Sequence, residues 1–416
     1  MPGPKEGDVE KRPPRTGDDL GASLGELVGA LDWRADRRAI GDARVGCLAW
    51  LYRACRDLVG RAVAARVPGA ERTAEAIEAL PERARARLFV APETAYRVIA
   101  RWSDVRSLLW LGEAAEAELA ILGTPASEPR WTALGDRYLP AGVSGADLES
   151  GGVDAAGIDA AAEFDPTRPY AAPTLGSIVV DYVSPQALAV RGPNGFVDGA
   201  PSCAAARTAL RKLRAAEHLI AGVGEGVASF VDRGIATLVL RSERASGAIG
   251  SSSMPEYLGR AVCWNADLPA ADIGELAGQL VHEAIHGHAY RLELDAPFVV
   301  ESDGALDRLR VTSPWSGRAL PVHSYLHACF VWYGLASFWL AVVERQHAPP
   351  ETAFPHLVRA ARGFAVDLVD RLGGARVAVA PPVLETIAFM ERSMRAASAR
   401  SGWLASALCD TASGTA

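Results

Sequence analysis

The sequence predicts an α+β, mainly helical fold: a small sheet plus a helical bundle, with one histidine-bearing helix in its second half. Three observations carry this. Apolar residues recur at helical spacing from about Ala22 to Leu122, short Val/Ile/Leu-rich runs bounded by Gly, Pro and Asn lie between residues 176 and 242, and four more helical patterns follow from residue 272 onward. The 416 residues exceed the ~250–300 at which a single hydrophobic core stops growing, so two cores, or one core with an annex, are expected. With 49% hydrophobic and 22% charged residues the chain belongs with globular proteins rather than disordered ones.

Taken in order, residues 1–20 ("MPGPKEGDVEKRPPRTGDD…") mix charge with proline, lack the apolar core of a signal peptide, and are expected to form a disordered tail. Residues 21–123 are expected to be a helical N-terminal region, from patterns such as "CLAWLYRACRDLVGRAVAAR" and "AYRVIARWSDVRSLLWLGEAAEAELAIL". Residues 124–175 are expected to be an acidic, loop-rich insertion. Between Arg137 and Arg168 they hold Asp147, Glu149, Asp154, Asp159, Glu163 and Asp165 without a single Lys or Arg, which suits a solvated surface insertion or a docking face for a basic peptide.

Residues 176–400 are expected to form the catalytic domain, and 401–416 a C-terminal tail. Strands are expected in "GSIVVDYV", "ALAVRG" and "GIATLVLRS", then a Ser/Gly-rich loop in "ASGAIGSSSMPEYLGRAVCWN" that passes into a short strand. Helices are expected at 272–293, 321–346, 351–372 and 377–396. The apolar stretch from His327 to Val343 is short for a membrane span of ~20 residues and flanked by charge, so it is expected to be a core helix, with no membrane partner.

The net charge of −7 and pI near 5.7 argue against nucleic acid as the partner, which usually calls for a basic face, and leave a neutral or basic substrate as the easier fit. The six cysteines show no CxxC spacing, so the expectation is reduced thiols in a cytoplasmic protein rather than a disulfide framework or thiolate zinc site. No feature of the sequence bears on oligomeric state.

Five of the eight histidines, His282, His286, His288, His323 and His327, fall within a ninth of the chain. In "VHEAIHGHAYRLEL", His282 and His286 are one helical turn apart, so both imidazoles can address one ion from a rigid surface, while Glu283 is turned roughly 100° away and suits a base or an orienting partner. Asp272 with Glu275 resembles a capping box at the start of this helix, and Pro297 lies beyond its end. His288 faces elsewhere and is not expected to be a ligand. His323 and His327 form a second i, i+4 pair, from which one member would complete a three-ligand site with open positions.

HExxH is the zinc-peptidase signature, two histidines on zinc with the glutamate as base for a bound water, and the helix is in that sense zincin-like. The metzincin continuation fails, because Ala289 and Leu292 stand where Gly and His are required. The gluzincin alternative needs a downstream glutamate, for which Glu301 in "FVVESDGALDRL" is the candidate.

The succession "RSERASGAIGSSSMPEYLGRAVCWN", "HEAIHGHAYRLEL" and "VTSPWSGRALPVHSYLHACFVWYGLASF" resembles the HExxH-motif proteins found with ribosomally made, post-translationally modified peptides, over roughly residues 176–396. That family is regarded as iron- and 2-oxoglutarate-dependent peptide β-hydroxylases. The resemblance places its HExxH on His282, Glu283 and His286 and its later pattern on Ser313, Pro314, Trp315, Arg318 and His327. It departs from the pattern in the shortened "WSGRAL" and the additional His323.

The resemblance thus implies Fe(II) held by His282, His286 and His327, Glu283 as an orienting or substrate-contacting residue, and Arg318 as the fork for the distal carboxylate of 2-oxoglutarate. Arg310 and Arg241 are reserves for the fork, His323 for the third ligand. Trp315, Tyr325 and Trp332 are candidates to line the pocket. The substrate would be a precursor peptide. The alternatives are a zinc metallopeptidase with Glu283 as base and a non-catalytic peptide-binding protein.

Overall fold

The computed structural model describes residues 17–33, 41–101, 104–145, 164–190, 199–243, 247–300 and 309–401. The N-terminal helices are α1 (Gly17–Ala30), α2 (Gly41–Ala64), α3 (Ala70–Glu78), α4 (Glu82–Val90), α5 (Pro92–Ile99) and α6 (Val105–Ile121). There follow β1 (Arg130–Trp131), β2 (Arg137–Leu139), β3 (Tyr170–Ala171), β4 (Thr174–Leu175), β5 (Ile178–Asp181), α7 (Pro185–Leu188), α8 (Cys203–Val223), α9 (Glu225–Gly234), β6 (Thr237–Arg241), β7 (Gly250–Ser253) and β8 (Arg260–Trp264). The motif helix is α10 (Ile273–Glu293), followed by β9 (Arg310–Thr312), β10 (Ala319–Pro321), α11 (Val322–Glu344), α12 (Pro350–Ala361) and α13 (Pro381–Arg400). The protein is α+β and mostly helical.

The chain divides into two compact units that do not follow sequence order: one draws on residues 1–43, 219–230 and 288–416, the other on 44–218 and 231–287. In the second unit β4-β5-β6-β8-β7 form a five-stranded sheet. Strands β5, β6 and β8 run parallel, and the strand pairs at either edge are antiparallel. The parallel strands read IVVD, TLVLR and RAVCW and are almost wholly buried, as strands covered on both faces must be. A second sheet, β1-β2-β3, is closed by Trp131, Tyr138, Phe164 and Tyr170, whose rings meet at 5.1–5.9 Å. The expected insertion 124–175 therefore contains a small sheet. Of its acidic residues, Asp147, Glu149, Asp154, Asp159 and Glu163 lie outside the described residues.

In the first unit α11 packs on α12 and α1 on α13. Helix α11 passes the length and composition test for a membrane span, but 78% of its most apolar window is buried within the protein, as a core helix requires. The N-terminal segment is tied to it across 301 residues of sequence: Trp33 Nε1 donates to the Gly334 carbonyl at 3.0 Å, and Arg345 donates to the Trp33 carbonyl at 3.2 Å.

Several expected elements differ. Helix α1 begins at Gly17, inside the expected tail, while residues 1–16 and 402–416 lie outside the description. Of the expected "ALAVRG" strand, residues 191–192 lie outside the described residues and Ala187 and Leu188 belong to the single turn α7, because Ser184 Oγ caps Ala187 N and Pro185 suits the first helical position. The Ser/Gly-rich loop contains β7, whose serines are held in strand form by antiparallel pairing with β8. The last helix starts at Pro381 rather than 377, since the residue before a proline is pushed to extended backbone and Val299 bridges Val379.

The helix expected at 351–372 stops at Ala361 and continues as 3₁₀ turns. Trp315 forces this. Its indole Nε1 donates to the Ala360 carbonyl at 2.8 Å, and a Cβ on Gly363 would stand 2.2 Å from its ring. Gly363→Ala is therefore expected to destabilise the protein by about 2–3 kcal/mol through overpacking of the Trp315 site, measured by urea unfolding. Wild-type stability in that variant would contradict the wedge.

Candidate metal-binding sites

Helix α10 begins as its sequence demands. Asp272 Oδ1 accepts the Glu275 amide at 2.7 Å, and Leu276, Leu280, Val281, Ala284 and Ile285 are buried beneath it. With the apolar face fixed, His282 and His286 come side by side, ring centroids 4.9 Å apart, both half-buried. His282 remains 34% exposed, so a ligand can reach the pair.

The edge strand β7 supplies a residue the sequence did not flag. Ser251 Oγ donates to Glu283 Oε1 at 2.6 Å. Glu283 is only 3% exposed, and its Oε2 is buried with no hydrogen-bond partner among the described residues. Its Oε1 is 3.9 Å from His282 Nε2. Below it, the Cys263 thiol donates to Gln279 Oε1 at 3.5 Å, and burial pushes that thiol up to about 12. None of the five described cysteines is in a disulfide among the described residues.

Later on the same helix, His288 Nε2 meets the Phe230 carbonyl at 2.9 Å and its ring packs on Phe230.

The first unit builds a second cluster. His327 Nε2 lies 2.7 Å from Glu293 Oε2, and His323 Nε2 lies 2.9 Å from both carboxylate oxygens. Among the described residues these three form the one group of three or more His, Cys, Asp or Glu with the spacing of metal ligands. Glu293 was not anticipated. No local spacing signals it, because its partners lie 30 and 34 residues further along the chain.

Burial would raise the Glu293 carboxyl, but the bonds from His323 and His327 outweigh it and hold the group down at about 2. The two histidines respond oppositely to the same carboxylate. His323, 42% exposed, is raised by its bond to Glu293, whereas His327, 2% exposed, is lowered by burial despite that bond.

Among the arginines, Arg318 is exposed in the β9–β10 turn, where Gly317 takes φ +68°, and among the described residues its guanidinium makes no ion pair. Arg310 is exposed and donates to the Leu309 carbonyl at 3.0 Å. Arg241 is buried at the end of β6 and donates to the Ala187 carbonyl at 3.4 Å. Trp315 and Tyr325 are core residues, the latter donating to the Leu368 carbonyl at 2.8 Å, while Trp332 is half-buried and stacks on Trp315. Glu301 lies outside the described residues. No protein-family model and no curated protein matches the chain.

Proposed function

We propose that the protein is an iron- and 2-oxoglutarate-dependent oxygenase that hydroxylates a side chain of a ribosomally made precursor peptide. The motif resemblance supplies this reading, and the state of Glu283 is the observation that supports it over a peptidase. A peptidase base must reach both the metal-bound water and the peptide. Glu283 is instead buried and anchored by Ser251, its Oε1 3.9 Å from His282 Nε2.

Two imidazoles on one turn fit a first-row metal and leave positions for the carboxylate and oxo group of a keto acid. Bound iron would supply the activation of O₂, one oxygen atom entering a C–H bond of the peptide and the other entering 2-oxoglutarate, which would leave as succinate and CO₂. Arg318, which makes no ion pair among the described residues, is the fork for the distal carboxylate in this reading, and Arg241 is the buried alternative. The resemblance alone names His327 as the third ligand. Its bond to Glu293 is the other use the chain can make of it, and metal counting separates the two.

Anaerobic addition of Fe(II) and then 2-oxoglutarate to the full chain is expected to raise a weak visible charge-transfer band that requires both and is missing in His282→Ala. Arg318→Ala should weaken the band at limiting 2-oxoglutarate and recover it at excess. No band, together with zinc-dependent peptide cleavage lost in Glu283→Gln, would replace the oxygenase by a peptidase.

A further inference from the structure

We propose that Glu293, His323 and His327 bind a first-row divalent cation at a site of their own in the first unit, in addition to the HExxH pair. Each side chain offers one ligand atom, and the three atoms lie within 4.8 Å of one another. Two come from the first turns of α11, where His323 and His327 are four residues apart with ring centroids 4.4 Å apart. The third comes from Glu293, the last residue of α10.

The present nitrogen–oxygen contacts of 2.7–2.9 Å are those of shared protons. A cation with bonds of about 2.0–2.2 Å holds neighbouring ligands roughly 3 Å apart, so small side-chain movements admit an ion in place of those protons. The donor set selects the class. Two imidazoles and a carboxylate, with no thiolate, suit zinc, iron, cobalt or manganese rather than calcium or copper(I).

The surroundings complete the case for a site with one open side. His323 is 42% exposed and Glu293 13%, whereas His327 is 2% exposed and closes the floor. Tyr290 lies parallel to His323 with centroids 6.4 Å apart and tilts on His327 at 4.8 Å, and Phe298 flanks His327 at 5.6 Å. An apolar wall of this kind orients the imidazoles and limits water to the His323 side. The assignment does not depend on the oxygenase reading, and His327 is the residue for which the two compete.

Chelator-treated full chain titrated with zinc(II) by calorimetry, and with cobalt(II) by visible absorbance, tests this. The wild type is expected to take up two equivalents. His323→Ala and the isosteric Glu293→Gln should each weaken one equivalent at least about tenfold and leave the other, which His282→Ala removes. His327→Ala should behave as His323→Ala does.

Superimposable isotherms for wild type, His323→Ala and Glu293→Gln would overturn the site, as would a single equivalent lost in both His282→Ala and His327→Ala. Failure of the oxygenase reading looks different: the iron and 2-oxoglutarate band is then missing while the His323-dependent equivalent persists.

Discussion

Gly287→Ala is expected to lower the melting temperature by roughly 6–12 °C and to weaken metal binding by the adjacent His286. The Cβ it adds would stand 2.3 Å from the Gly234 carbonyl oxygen and 3.1 Å from its carbon. The contact is reciprocal, because a Cβ on Gly234 would meet the Ala284 Cα and Cβ at 2.7 Å. Both neighbours are helix backbone, which cannot swing aside as a side chain can. The motif helix must then back away from the end of α9 and carry His282 and His286 with it.

Overpacking of this severity costs about 3 kcal/mol, which for a unit of this size corresponds to the stated shift. Gly25→Ala in α1 is the control, since nothing lies within 4 Å of its added Cβ, and it should leave the melting temperature unchanged or slightly raised. Calorimetric scans of the two variants check this. Equal melting of Gly287→Ala and wild type would mean that the close helix contact is not maintained in solution.

At acid pH a large effect is expected from Glu293. Its carboxyl, held at about 2 against an ordinary value of 4.5, binds a proton less readily folded than unfolded. The stability it contributes is therefore fully present above pH 4.5 and is lost as the pH falls toward 2. The shift corresponds to roughly 3 kcal/mol. Its side chain is only 13% exposed, so solvent screening discounts that little.

The histidines act at higher pH and oppose each other. His323, with its value raised, adds stability below pH 6.5 that is lost as the pH rises through the raised value. His327, with its value lowered, takes stability away as the pH falls below 6.5. Replacing Glu293 therefore tests its share of the acid limb directly. Urea unfolding of chelator-treated protein should show a steeper loss between pH 4.5 and 2 in wild type than in Glu293→Gln. Parallel acid limbs would show that the two histidines do not hold this carboxylate.

Much of the architecture was legible from the sequence because it depends on neighbours along the chain. The apolar runs at 176–183 and 234–242 became β5 and β6, the Asp272 cap opened α10, and the apolar stretch after His323 became the buried helix α11. The misplaced elements had causes elsewhere in the chain. Helix 351–372 was cut short by the indole of Trp315, 48 residues before Gly363, and β7 exists because β8 offers it an edge. Neither cause leaves a mark in the local pattern.

The candidate site residues divide the same way. That His282 and His286 share a face follows from the 3.6-residue period alone, and the structure places their rings together. That Ser251 anchors Glu283, and that Glu293 gathers His323 and His327, could not be deduced from spacing: partners 32, 30 and 34 residues apart meet only once the sheet and the helices have packed. The sequence by itself determined which helices and strands form and which histidines come in pairs, because backbone hydrogen bonding and side-chain periodicity act over a few residues. Tertiary packing decided which carboxylate serves which histidine, because burying a charge obliges it to find its partner wherever the folded chain brings one within hydrogen-bond distance.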